Sequence, residues 1–144
     1  MKEVKPRQNY LGIKGWVWAG KYKLERYLYL IHRVTGVCLV LFLSLHLIET
    51  TVFRIQGEDV WEATMKALSK PLFEVGLYLV AVAFVFHALN GLRLAFQEFG
   101  FALGKPAPPV YPYEDAIRKG RAGTIVMLAV IIILALAFLF DFIV

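Results

Sequence analysis

Apolar side chains in this chain are gathered into blocks instead of recurring at the spacing of an amphipathic helix or a half-buried strand. The blocks cover residues 31–53, 72–96 and 123–144, each near the ~20 residues that cross a bilayer core as an α-helix. The third is the purest: between Ile125 and Phe140 no polar side chain interrupts it, and Asp141 comes only at the far end. The pattern predicts an all-α integral membrane fold of three transmembrane helices.

Between the blocks the pattern changes. Residues 57–70 alternate Val60, Trp61, Met65 and Leu68 with Glu58, Asp59, Glu62 and Lys66, which reads as a short helix lying in the interface before Pro71 opens the second span. Residues 105–113 carry Pro106, Pro108, Pro109 and Pro112 and form a stiff extended link, because proline supplies no backbone N–H. Residues 1–30 form a polar arm, cytoplasmic or interfacial, that mixes cations with Tyr10, Trp16, Trp18, Tyr22, Tyr27 and Tyr29. Residues 31–144 form the three-helix membrane anchor.

Composition agrees with this division. Hydrophobic residues make up 59% of the 144, against about 45–50% in an average soluble domain, and the mean hydropathy is +0.62. The first block is full length and begins with charge, so it reads as a retained helix and not as a cleaved leader. The single cysteine, Cys38, lies inside that block and supports neither a disulfide framework nor a cysteine metal site. A net charge of +5 is the ordinary consequence of basic residues flanking spans and calls for no nucleic acid. Cations cluster before the first block and around the second connection, while the first connection holds only Arg54, Lys66 and Lys70. The positive-inside rule then puts the amino terminus in the cytoplasm and the carboxyl terminus across the membrane.

Ionisable groups are costly in hydrocarbon, and those that persist there mark partner helices, cofactors or wet sites. His87 lies deep in the second block, and Ala83, His87 and Gly91 share a stripe with Val80 and Leu94. A nearly bare surface one turn either side of an imidazole suits a flat ligand such as haem, whose iron an axial histidine must reach. It equally suits close helix packing around a hydrogen-bonded histidine.

The first block carries His32, Arg33, Thr35, Gly36, Ser44, His46 and Glu49. His32, Thr35, Leu39, Phe42 and His46 fall on one side by helical periodicity, with Arg33 pointing well away. His46 is about 20 Å deeper than Arg33 and is flanked by Phe42 and Thr50, bulkier neighbours than those of His87. Arg33 either snorkels to the interface or stands as a permanent cation at the mouth of a quinone pocket.

The run His32-Arg33-Val34-Thr35-Gly36-Val37, with His87-x-x-x-Gly91-Leu92-Arg93 on the second helix, resembles the cytochrome b556 subunit of succinate dehydrogenase, one of the membrane subunits of respiratory complex II. The resemblance covers about residues 26 to 144. It implies an anchor in the cell's inner (cytoplasmic) membrane, paired with a second small membrane subunit and holding a flavoprotein and an iron–sulfur protein at the cytoplasmic or matrix face. It also implies that His87 is the axial ligand of haem b, that Arg33 lines the quinone pocket, and that Arg93 meets a haem propionate. Where many members carry a serine four residues before the arginine, this chain has Tyr29, whose phenol can also donate. Leu94 stands where a histidine often follows the second-helix arginine. Some relatives bind two haems, the distal one served by a first-helix histidine towards the outer side, which is where His46 lies.

The expected function is therefore electron transfer from an iron–sulfur partner to quinone near Arg33 and Tyr29, with succinate oxidised elsewhere. The chain has no flavin fingerprint, no cysteine cluster and no dicarboxylate pocket. A rival reading is a haem-free structural anchor in which His87 and His46 only bond neighbouring helices.

Overall fold

The computed structural model describes residues 23–101, 103–105 and 120–143. Most of the expected amino-terminal arm and the proline-rich link from residue 106 onward lie outside the described residues. Helix α1, Lys23–Ile48, continues through a wider π-helical turn at Glu49–Phe53. Helix α2 spans Glu58–Leu68, α3 spans Pro71–Glu98 and α4 spans Arg121–Ile143. Among the described residues there is no strand.

Among the described residues three helices are long and apolar enough to cross a membrane: Leu24–Phe53, Pro71–Glu98 and Arg121–Ile143, of 30, 28 and 23 residues. At 1.5 Å per residue the middle one is about 42 Å long, longer than the ~30 Å hydrocarbon layer.

Helix α1 is already regular at Lys23, upstream of the apolar block that begins at Ile31. Its first two turns are held by tertiary contact. Leu28, 2% exposed, packs with Phe86 and Ile131 in the small core, alongside Leu24 and Met127. Glu25 reaches Arg121 of α4 at 3.3 and 3.4 Å. Helix α3 lies centrally, in contact with both α1 and α4.

The ends follow local rules. Gly57, at φ +123°, precedes α2, whose first turn carries Glu58 and Asp59 and whose last carries Lys66, each sign opposing the helix dipole. Arg54 stacks over Trp61 at 5.7 Å and ties α2 back to the π turn. Pro71 occupies the first turn of α3, where its missing N–H costs nothing. At the other end Gly100 takes φ +83° and donates to the Gln97 carbonyl at 2.9 Å, while Phe101 N–H reaches Phe96 O at 2.9 Å. Phe96 and Phe101 meet edge to face at 6.2 Å, completing a glycine-terminated Schellman cap with its apolar contact.

Candidate functional site

The site lies where α1 crosses α3. Each helix brings a histidine and, one turn later, a glycine: His32 with Gly36, His87 with Gly91. The helices run antiparallel, so each ring covers the other helix's glycine. A Cβ on Gly36 would lie 2.9 Å from His87 Cε1, and one on Gly91 would lie 3.4 Å from His32 Cε1. The rings stack with centroids 4.0 Å apart and planes 4° from parallel. Gly91, whose small size suits a flat ligand or close helix packing equally in the sequence, here admits His32.

His87 is oriented through Nδ1, which lies 3.1 Å from the His32 carbonyl and 3.2 Å from Thr35 Oγ1. The Thr35 hydroxyl has carbonyls of its own, Ile31 at 2.8 Å and His32 at 3.0 Å, to which it donates. A nitrogen lone pair facing a carbonyl would be repelled, so this network assigns the proton to Nδ1. Nε2 is thereby left with the lone pair a metal ligand needs.

Beside the pair, His32, Arg33, Gly36 and His87 share an apolar recess of about 420 Å³ with Val37, Val40 and Leu41. His32 Nδ1 is buried without a hydrogen-bond partner. The donor set fits haem: one imidazole pinned through Nδ1, an apolar wall beside it, and an arginine at the rim.

Arg33 has a second engagement. Its Nη1 donates to Tyr29 Oη at 2.7 Å and its guanidinium lies 5.5 Å from the ring centroid. Both residues, with Arg26 and Leu30, line a smaller cavity of about 140 Å³. Helical periodicity points Arg33 away from the histidine stripe, yet its long side chain borders both cavities.

His46 stands apart from this cluster. It is 53% exposed at the side chain, parallel to Phe42 at 5.7 Å, with Nδ1 3.6 Å from Glu49 Oε2. Arg93 turns to α4, donating from Nε to Asn90 Oδ1 and from Nη1 to Thr124 Oγ1, both at 3.1 Å. It lines a separate recess between α3 and α4 that shares no residue with the histidine recess.

Asn90 and Thr124, 0% and 1% exposed, are not singled out by the sequence pattern. The available signal is an amide two turns inside so apolar a helix, since polar groups in such places usually have partners.

A profile of the succinate dehydrogenase/fumarate reductase transmembrane subunit matches residues 17–138, which include both histidine–glycine pairs. The chain belongs to this family. Among similar proteins, the succinate dehydrogenase hydrophobic membrane anchor subunit of Halobacterium salinarum is 39% identical over 79 residues, covering 52% of this chain and 58% of that one. The succinate dehydrogenase 2 membrane subunit SdhC of Mycobacterium tuberculosis is 27% identical over 95 residues, covering 65% and 61%. The succinate dehydrogenase cytochrome b558 subunit of Bacillus subtilis is 36% identical over 77 residues, covering 51% and 38%. This transmembrane subunit thus spans less than two thirds of each of these relatives.

Proposed function

We propose that this chain is a haem b-binding membrane anchor of a succinate dehydrogenase, with His87 as axial ligand through Nε2. The observation that carries the reading is the placement of His87 Nδ1 against the His32 carbonyl and Thr35 hydroxyl. That contact fixes the tautomer and ring orientation a ligating histidine requires. The name of the Bacillus subtilis relative, a cytochrome b558 subunit, supports a b-type haem. Haem, when bound, supplies a one-electron relay whose potential the surrounding protein sets.

The chain's own residues bind and orient. Arg33 borders both the histidine recess and the Tyr29 cavity, so one cation faces the two places where negative charge would gather. Tyr29 Oη accepts from Arg33, which leaves the phenolic hydrogen to donate to a quinone carbonyl while Arg33 stabilises the charge that develops there. Electrons would come from an iron–sulfur subunit, itself fed by a flavoprotein that oxidises succinate. A second small membrane subunit would supply the axial group opposite His87, because His32 is stacked beside it and His46 is elsewhere. The chain would sit in the inner, cytoplasmic membrane with its amino terminus inside. The contact of Arg93 with Thr124 gives no support to a propionate role for that side chain.

The reciprocal packing of histidine on glycine favours a second reading, a haem-free anchor in which the two rings lock α1 to α3. A pigment spectrum separates the two readings. The purified complex should show reduced b-type absorbance that His87→Ala abolishes or markedly alters, and an unchanged spectrum and haem content in that variant would refute the ligand assignment.

A further inference from the structure

The recess between α3 and α4 contains a cation that the proposed electron path does not use. Arg93 makes its two hydrogen bonds to neutral groups, the Asn90 amide oxygen and the Thr124 hydroxyl. Glu25, the carboxylate that acts on Arg93 electrostatically, makes its two-point hydrogen-bonded contact with Arg121 and none with Arg93. A guanidinium whose hydrogen bonds go to neutral groups keeps further N–H donors for an anion.

The cavity around it measures about 400 Å³ and joins Arg93 and Thr124 to apolar walls that include Leu92, Phe96 and Val126. Those three wall residues are more than half exposed, so the recess opens sideways towards lipid. Phe101, folded back by the Gly100 cap, lines it as well. With α3 centred in a bilayer, Arg93 lies about 13 Å from the mid-plane, close to the edge of a ~30 Å hydrocarbon layer. Phosphate headgroups begin at that depth.

We propose that this recess is a binding site for an anionic phospholipid, its phosphodiester on Arg93 and its acyl chain along Leu92, Phe96 and Val126. Charge decides the class of occupant: a phosphodiester compensates the guanidinium through charge-assisted hydrogen bonds, whereas a quinone carbonyl is one more neutral acceptor. The proposal stands whether or not His87 binds haem.

The test uses the full chain purified in detergent with its co-purifying subunits, delipidated and then titrated with phosphatidylglycerol or phosphatidylcholine under native mass spectrometry. Phosphatidylglycerol should be retained preferentially, and Arg93→Gln should weaken its retention about tenfold. Gly123→Leu keeps the guanidinium but fills the recess, since a Cβ on Gly123 meets nothing within 4 Å. It should lose the same lipid, and it decides the matter if Arg93→Gln fails to assemble. Equal retention of the two lipids by the unmodified protein would overturn the proposal. So would full phosphatidylglycerol retention in either variant, and loss of haem with unchanged lipid in Arg93→Gln would return the guanidinium to the cofactor.

Discussion

The imidazole of His87 sits over Gly36 so closely that a methyl group there would come within 2.9 Å of Cε1. The family-like motif of α1 therefore acts on the proposed ligand residue of α3 at three points: the His32 carbonyl and the Thr35 hydroxyl hold Nδ1, and Gly36 leaves room for the ring.

Gly36→Ala should displace the ring or push the helices apart. Overpacking of this kind costs about 1–3 kcal/mol, and the haem absorbance maximum or midpoint potential should shift even where the complex assembles. Gly91→Ala, with its Cβ at 3.4 Å from His32, should be milder. A Gly36→Ala complex with unaltered spectrum and potential would mean that the ring does not depend on this space.

Arg33→Leu should depress quinone reduction while leaving succinate oxidation with a soluble artificial acceptor near its unmodified rate, because the dehydrogenase subunits lie outside the membrane in the proposed assembly. Tyr29→Phe, which deletes the hydroxyl but keeps the ring under the guanidinium, should have the smaller effect. Equal loss of both activities in Arg33→Leu would indicate failed assembly instead.

His46 tests the count of cofactors. A second haem requires two pigments per assembled protomer and the loss of one in His46→Ala. With a single haem, His46→Ala should leave the spectrum intact and cost at most about 1 kcal/mol, the scale of one polar side-chain contact such as that with Glu49.

Gly100→Ala probes the end of α3. At φ +83° an added Cβ strains the backbone by about 1 kcal/mol. The variant should melt lower and, by loosening Phe101, bind phosphatidylglycerol more weakly than the unmodified chain.

The spans are legible in the sequence because hydropathy is a property of each helix alone. What escapes depends on a second helix. The first turns of α1 look like part of a polar arm until Leu28 meets Phe86 and Ile131 and Glu25 meets Arg121. Asn90 looks like filler within the motif until Arg93 and Thr124 gather around it. Gly91 looks like a landing surface for a flat ligand, since the sequence of α3 contains no sign that His32 of α1 will occupy it. The helical bearing of Arg33 holds for its Cα and is incomplete for its guanidinium, which a flexible stem carries to two cavities.

The π turn at Glu49–Phe53 holds one residue more than a regular helix would place there. Thr50 donates to the His46 carbonyl at 2.8 Å and Thr51 to that of Leu47, the same back-bonding that Thr35 and Ser44 make earlier in the helix. Such a turn works as an angular offset. Its wider circuit takes up the extra residue, whereas drawing the same residues into a regular helix would swing everything beyond by about 100° around the helix axis. Arg54, and with it the docking of Trp61 and α2, would then face a different quarter of the bundle, so the heading of the loop between the first two spans is set by this one widened turn.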